Sequence, residues 1–191
     1  NMQDDFRSAV LANISGAKYR ICSKTFRKSN KWFANVLVDN TMEKHVMLKY
    51  VSLLSPLGID VKDARMTMPF TSQDSVYANS LLFEQNLQSK QFVILNPAAS
   101  SEKKIWPTKY YAALADLLIE KCNTQVVFLG ADSDRDLVTE IICKMNHKAH
   151  DFSGRTTLKQ LGALVEKAQL FISGDTGPLH IAAAVGTPTV S

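Results

Sequence analysis

The sequence has few of the features that mark membrane, secreted or metal-binding proteins. No apolar run approaches the roughly 18 residues that a membrane span needs. The N-terminus has no basic-then-apolar signal peptide, so nothing indicates export. The three cysteines, Cys22, Cys122 and Cys143, lie far apart and without C-x-x-C or Cys/His ligand spacing. We therefore expect free thiols in a reducing cytoplasm and no structural metal.

Charge is unevenly distributed along the chain. Residues 1–90 hold twelve Lys and Arg against eight Asp and Glu, whereas residues 91–191 hold ten of each kind. The excess lies in six cations with no acid among them: Lys18, Arg20, Lys24, Arg27, Lys28 and Lys31. This segment is either a solvated basic loop or a surface that attracts an anionic partner. No aromatic interleaving or zinc-finger spacing accompanies it, so nothing indicates nucleic acid.

The apolar pattern changes near residue 90. Before it we predict a short strand at 19–22 and helices at 4–14, 42–57 and 72–87, the last capped by Ser72. After it, strands at 92–95, 126–129, 170–173 and 189–191 alternate with helices at 107–122, 133–146 and 158–167. This alternation predicts an α/β fold with a parallel sheet covered on both faces. Ligands of such sheets bind at the carboxyl ends of the strands.

The most informative segment is LFISGDTGPLHIAAAVGTPTVS, residues 170–191. An apolar strand breaks at Asp175-Thr176-Gly177-Pro178 and leads into an Ala-rich helix. Such a turn offers backbone N–H groups and the positive end of a helix dipole to a phosphate or diphosphate. Asp175 and His180 flank this anion site. D-T-G is also the aspartic-protease motif, but that motif needs an all-β setting.

Two further strand ends carry polar side chains. The loop after 92–95 contains Ser100, Ser101 and Lys104, whose hydroxyl groups and ammonium suit a diphosphate. The loop after 126–129 contains Asp132 and Asp134, and for Asp132 a helix-start acid is the simpler role. We expect the loops at 96–106, 130–134 and 174–178 to converge on one edge of the sheet.

These motifs resemble those of glycosyltransferase family 9, the bacterial ADP-heptose:lipopolysaccharide heptosyltransferases. D-T-G-P-x-H-x-A-A-A-x-G-x-P-x-V at 175–190 resembles the family signature, and K-x-W-P at 104–107 resembles its second signature. The resemblance implies a GT-B fold of two Rossmann-like domains with parallel sheets. It divides the chain into a partial acceptor-side domain at 1–70, a linker with a helix at 71–90 and a donor-binding domain at 91–191.

The resemblance also implies the chemistry, an inverting, metal-independent transfer of heptose from ADP-heptose to the lipopolysaccharide inner core, with no cofactor. It implies catalytic roles for Lys104 and Asp175. Lys104 would stabilise the negative charge of the leaving diphosphate, and Asp175 would bind sugar hydroxyls. Asp134 would hold the ribose hydroxyls, and Thr156 would line the adenine. The full donor-binding set implied is Ser100, Ser101, Lys104, Asp134, Thr156, Asp175, Thr176, Gly177 and His180.

The basic segment 18–31 would suit the anionic core acceptor, with peripheral contact at the cytoplasmic face of the inner membrane. No position corresponds to the catalytic base proposed for the family. We therefore expect the chain to be a fragment that lacks both ends of the family pattern and is inactive in transfer by itself. Two alternatives remain open: another nucleotide-sugar enzyme of the same architecture, such as an epimerase, and a non-catalytic remnant that binds nucleotide.

Overall fold

The computed structural model describes residues 5–43, 45–61, 64–99 and 105–191. The chain divides into two compact units, residues 1–65 and residues 66–191. Each unit has its own parallel sheet, so the α/β class predicted from the sequence is confirmed. Among the helices formed by the described residues, none has both the length and the apolar character that a bilayer crossing requires.

The first unit is built around two short strands. Its elements are α1 (Phe6–Ile14), β1 (Ile21–Ser23), α2 (Lys28–Lys31), β2 (Val36–Val38), α3 (Val46–Val51) and a 3₁₀ turn at Ser52–Leu57. The strands pair in parallel, with Ile21 opposite Val36. The buried apolar residues of this unit include Ala9, Cys22, Val38 and Leu53.

The helix predicted at 42–57 is shorter in the structure. It begins after His45, whose Nδ1 accepts a hydrogen bond from the Met47 N–H at 3.3 Å, so His45 caps the helix. From Ser52 onward the helix tightens to 3₁₀ geometry, in a segment that contains Pro56, which has no N–H to offer an α-helical bond. Gly58 ends it with a φ of 75°, a left-handed conformation that glycine adopts without steric cost.

The second unit is a five-stranded sheet covered on both faces. Its elements are α4 (Ser72–Glu84), β3 (Phe92–Asn96), α5 (Thr108–Cys122), β4 (Gln125–Phe128), a 3₁₀ turn at Asp132–Asp134, α6 (Arg135–Cys143), β5 (His150–Asp151), α7 (Leu158–Val165), β6 (Leu170–Ser173), α8 (Gly177–Ala184) and β7 (Thr189–Val190). Apart from β5, which was not predicted, these strands and helices match the sequence predictions with shifts of a few residues at their ends.

The strands all run parallel, in the order β5-β4-β3-β6-β7. The chain moves outward from β3 to β5 and then returns to the other side of β3 for β6 and β7. The winding direction therefore reverses between β3 and β6. In open α/β sheets this switch point leaves a crevice at the carboxyl ends of the strands, where ligands bind.

Alternate residues of the central strands form two core layers. One layer joins the sheet to α4, α7 and α8 and includes Phe92, Ile94, Leu129, Phe152, Phe171, Leu81 and Leu164. The other joins it to α5 and α6 and includes Val93, Leu95, Val126, Phe128, Tyr111, Val138 and Ile141. Strands that are buried on both faces need continuous apolar runs, which the sequences FVIL and VVF provide.

Helix α4 belongs to the second unit, because Ala78, Leu81 and Leu82 are buried in its first core layer. The helix expected in a linker at 71–90 thus contributes to a core. Its cap is Thr71, so the prediction of Ser72 was wrong. Thr71 Oγ1 accepts from the Asp74 N–H at 3.4 Å, and Asp74 Oδ2 accepts from the Thr71 N–H at 2.8 Å. This reciprocal pair is a capping box.

We expect Thr71→Ala to lower the free energy of unfolding by about 1 kcal/mol, because the first turn of α4 loses its capping hydroxyl. Ser72→Ala is the matched control, since Ser72 is the first helical residue, and its effect should stay within about 0.5 kcal/mol. Urea unfolding followed by circular dichroism measures both variants. Equal losses would contradict the assignment of the cap to Thr71.

Candidate functional site

A cavity of about 710 Å³ lies at the carboxyl ends of β3, β4 and β6 and beside the loop that follows β5. Its lining residues are Asn96, Ala98, Ala99, Leu129, Gly130, Ala131, Asp134, Thr156, Thr157, Leu158, Leu161, Asp175, Thr176, Gly177, Pro178 and His180. Volumes of about 300–1,000 Å³ are usual for sites that bind small molecules. The loops after the strands therefore meet in one cavity, as the sequence predicts.

A chain of hydrogen bonds crosses the switch point. Asn96 Nδ2, at the end of β3, donates to Ser173 Oγ at the end of β6 at 3.2 Å. Ser173 Oγ in turn lies 2.9 Å from Thr176 Oγ1. Asn96 and Ser173 are both buried, each 3% exposed. The turn that carries Thr176 is thus fixed to the central strand of the sheet.

Helix α8 begins directly at the cavity. Thr176 precedes it in an extended conformation, and Pro178 occupies its first turn, where a missing N–H costs little. Apart from its chain neighbours and the backbone of its own helix, no atom of the described residues lies within 4 Å of a Cβ built on Gly177, so this part of the chain leaves the position open. The start of α8 therefore presents the positive end of a helix dipole to a space that a bound anion can enter.

Asp175 and His180 lie next to each other at this end of the cavity. His180 Nε2 is 3.7 Å from Asp175 Oδ1, with side chains 63% and 78% exposed respectively. A pair this exposed is well solvated and contributes little to stability. Its side chains are accordingly accessible to a ligand.

Asp134 faces the cavity from the loop after β4. Its Oδ2 accepts a hydrogen bond from the Ala131 N–H at 2.7 Å, which closes the 3₁₀ turn. Gly130 packs so closely that an added Cβ would lie 2.8 Å from the Cβ of Asp134. Contacts within its own loop thus position the Asp134 carboxylate.

Asp132 is engaged outside the cavity. Its Oδ1 accepts a hydrogen bond from Arg135 Nε at 2.6 Å. Asp132 therefore has a local role at the helix start, in an ion pair with the first residue of α6. This pair lies over Gly154, where an added Cβ would be 2.7 Å from Asp132 Oδ1.

Within the described residues, no group of three or more His, Cys, Asp or Glu side chains is arranged to hold a metal ion.

Another end of the cavity is formed by the loop between β5 and α7. Thr156 lines it, and Thr157 caps α7 through a reciprocal pair of hydrogen bonds with Gln160. Leu158 also lines it and is 68% exposed, whereas Leu161 behind it is buried. This end is therefore a wall of threonine and leucine, in contrast to the dipolar end at α8.

The structure brings the following predicted site residues to one cavity: Asp134, Thr156, Asp175, Thr176, Gly177 and His180. Ser100, Ser101 and Lys104 lie outside the described residues. Sequence reasoning missed Asn96, Leu158 and Leu161 as members of the site. For Asn96 a signal exists, because a polar residue ends the buried run FVILN; the two leucines look like ordinary core residues in the sequence.

Comparison with known proteins finds similar chains. The family profile of glycosyltransferase family 9 (heptosyltransferase) matches residues 1–191. Lipopolysaccharide heptosyltransferase 3 of Escherichia coli is 31% identical over 204 residues, which cover 100% of this chain and 57% of the relative. The chain spans about half the length of the curated relatives that it matches first.

Solved structures match over nearly the whole chain. The family 9 glycosyl transferase from Veillonella parvula has a TM-score of 0.80 at 22% identity and covers 99% of this chain and 54% of its own. The Escherichia coli heptosyltransferase WaaC, solved with ADP, has a TM-score of 0.72 at 18% identity and covers 98% and 59%. The fold is thus that of the GT-B heptosyltransferases. The doubly wound parallel sheet with its cavity at the switch point places the second unit in the Rossmann-like class of α/β folds. Together with the profile match, it shows that the chain belongs to glycosyltransferase family 9.

We expect Gly130→Ala to lower the free energy of unfolding by about 1–3 kcal/mol, because the new methyl group collides with Asp134. Gly177→Ala is the matched control: among the described residues none beyond its chain neighbours and the backbone of its own helix comes within 4 Å of its Cβ, and no loss of stability is expected. Urea unfolding measures both. A Gly130→Ala protein as stable as the wild type would show that the packing of Asp134 on Gly130 is not tight.

Proposed function

We propose that the cavity of the second unit binds the nucleotide-sugar donor ADP-heptose, and that the protein transfers heptose from it to the inner core of lipopolysaccharide. The observation that carries this proposal is the convergence of the Asp175–His180 motif, Asp134 and Thr156 on one cavity at the switch point. Two comparisons support it. A relative that matches the whole chain is named a lipopolysaccharide heptosyltransferase, and a structural neighbour was solved with ADP.

The two ends of the cavity suit the two ends of the donor nucleotide. The diphosphate fits at the start of α8, where Gly177 leaves room for close approach and the dipole favours negative charge. The adenine fits against Thr156 and Leu158, beside the end of β5. β5 and β6 are three interstrand spacings of about 4.8 Å apart, or roughly 14 Å, a span suited to an extended nucleoside diphosphate. Asp134, between these ends, is assigned to the ribose hydroxyls.

The proposed reaction is an inverting displacement. The acceptor hydroxyl oxygen forms a bond to the anomeric carbon of heptose, the bond from that carbon to the diphosphate oxygen breaks, and ADP leaves with the electron pair. The hydroxyl proton passes to a base, which we assign to no residue of this chain. Negative charge grows on the diphosphate as it leaves, and preorganised donors that meet this charge lower the barrier. We assign that role to Lys104, Ser100, Ser101 and the amides at Thr176 and Gly177.

Asp175 and His180 are assigned to the donor sugar and its diphosphate. Asp175 carries carboxylate oxygens that can accept hydrogen bonds from sugar hydroxyls, and its exposure leaves them reachable. His180 lies on the first turns of α8, on the side of the diphosphate. No metal ion takes part in the proposed mechanism.

We expect Lys104→Ala to weaken ADP binding about tenfold to a hundredfold, because a charge-assisted phosphate contact is lost. Gly177→Ala should weaken it by about tenfold or more, since its methyl group fills the space that the diphosphate needs. Lys109→Ala, in the exposed first turn of α5, is the control and should bind like the wild type. Isothermal titration calorimetry measures all four proteins. A wild-type chain that does not bind ADP would overturn the proposed function.

We also propose that the first unit binds the anionic acceptor and contacts the cytoplasmic face of the inner membrane. Lys18, Lys24 and Lys28 are exposed on this unit. Trp32 and Tyr19 are 75% and 59% exposed, and both are side chains that favour the water–lipid boundary. Cations next to exposed aromatic rings are typical of surfaces that bind anionic lipids.

The membrane proposal predicts that the chain floats with phosphatidylglycerol vesicles and does so less as salt is raised. Lys28→Ala should lower the partition about fivefold, because each lysine near an anionic surface contributes roughly 1 kcal/mol. Lys121→Ala, at the end of α5, is the control. Equal flotation with phosphatidylcholine vesicles, or a salt-independent partition, would contradict electrostatic docking.

A further inference from the structure

The wall of the cavity at Thr156 is held in place from outside the cavity. Thr156 follows Arg155, and the Tyr77 hydroxyl of α4 donates a hydrogen bond to the Arg155 carbonyl oxygen at 2.7 Å. These residues are 78 positions apart in the sequence, and the contact is partly buried. A single hydrogen bond from α4 thus fixes the peptide unit that joins Arg155 to Thr156.

A second contact holds the Arg155 side chain. Its Nη2 lies 2.6 Å from Glu84 Oε2, near the end of α4. The guanidinium also lies over the Phe152 ring, 5.4 Å from its centre, and Phe152 is fully buried. The ion pair is about one-third to one-half exposed and adds little stability. Its contribution is to restrict the position of Arg155.

A third contact joins α4 to β5. His150 Nδ1 lies 3.2 Å from Gln85 Oε1, the residue that follows α4. Burial, with the Lys148 charge as a smaller cause, lowers the pKa of His150 below its usual value. The Gln85 carbonyl oxygen can only accept, so this contact requires a proton on Nδ1 of His150. Tyr77, Glu84 and Gln85 thus contact both the strand and the loop at this end of the cavity.

Helix α4 is itself firmly anchored. Its start is closed by the Thr71–Asp74 capping box, and Leu81 and Leu82 are buried in the core. The segment just before it also packs closely, because a Cβ on Gly162 of α7 would lie 3.0 Å from Met68 Cγ. A helix that is held in this way can restrict the movement of a loop that it contacts.

We propose that α4 is a positioning element for the nucleotide, and that Tyr77 holds the Thr156 wall where the base of the nucleotide binds. This inference rests on the proposed function, because it assumes a nucleoside diphosphate in the cavity. The diphosphate end lies three strands away, at the start of α8, and α4 makes its contacts here with Arg155 and His150. Loss of the Tyr77 contact should therefore affect recognition of the base and leave recognition of the phosphates intact.

The experiment compares ADP with inorganic pyrophosphate, which has no base, by isothermal titration calorimetry on the 191-residue chain. Tyr77→Phe should weaken ADP binding about threefold to tenfold, the range expected for one hydrogen bond, and leave pyrophosphate binding unchanged. Ser80→Ala is the control on the same helix, since its hydroxyl bonds only within α4, to the Tyr77 carbonyl at 2.8 Å. An equal loss for both ligands, or no loss for ADP, would overturn the proposal.

A second measurement does not depend on any ligand. In the ligand-free chain, Tyr77→Phe should speed amide hydrogen exchange in residues 153–158, while Ser80→Ala should not. Unchanged exchange in that loop would overturn the positioning role, whatever the affinities. If the wild type binds neither ligand, the proposed function fails and the exchange experiment alone decides whether α4 holds the loop.

Discussion

The hydrogen bond from Asn96 to Ser173 joins the two strands between which the sheet reverses its winding direction. Both side chains are almost fully buried, so each would carry a desolvation cost of about 1–3 kcal/mol without its partner. The bond continues to Thr176 and fixes the turn from which α8 starts. This polar link therefore helps to fix the position of Asp175, Gly177 and His180 relative to the central strand.

The second constraint on the cavity comes from the loops at its opposite end. The loop after β4 and the loop after β5 are joined by the Gly154 N–H, which donates to the Gly130 carbonyl at 2.9 Å. The Asp132–Arg135 pair lies against Gly154 in a space that a side chain would fill. Both loops are thus locked together, and α4 holds the second of them from outside. The cavity is bounded by parts of the chain that pack independently of any ligand.

Sequence reasoning predicted the strands and helices of the second unit that short sequence patterns determine. The predicted strands at 92–95 and 126–129 lie within one residue of β3 and β4, and the D-T-G-P motif placed the start of α8 correctly. It missed β2 and β5. β2 is three residues that follow a polar segment, and β5 is the polar pair His150–Asp151, which has no apolar pattern. The Thr71 cap was recoverable, since Asp74 follows three residues later in the capping-box spacing. The contacts of Asn96 and Tyr77 were not, because their partners are 77 and 78 residues away.

The charge of the cavity limits how the proposed nucleotide could be bound. Among the described residues that line it there is no Lys or Arg, and Asp134 and Asp175 are both acidic. A helix dipole contributes typically 0.3–1 kcal/mol, whereas micromolar affinity needs about 8 kcal/mol. In the proposed function Lys104 is assigned as the cation that the dipole lacks, and the remaining affinity must come from contacts along the cavity. If the donor binds as proposed, the threonine and leucine wall is as necessary as the start of α8, and the loop that Tyr77 of α4 contacts takes part in recognition of the donor.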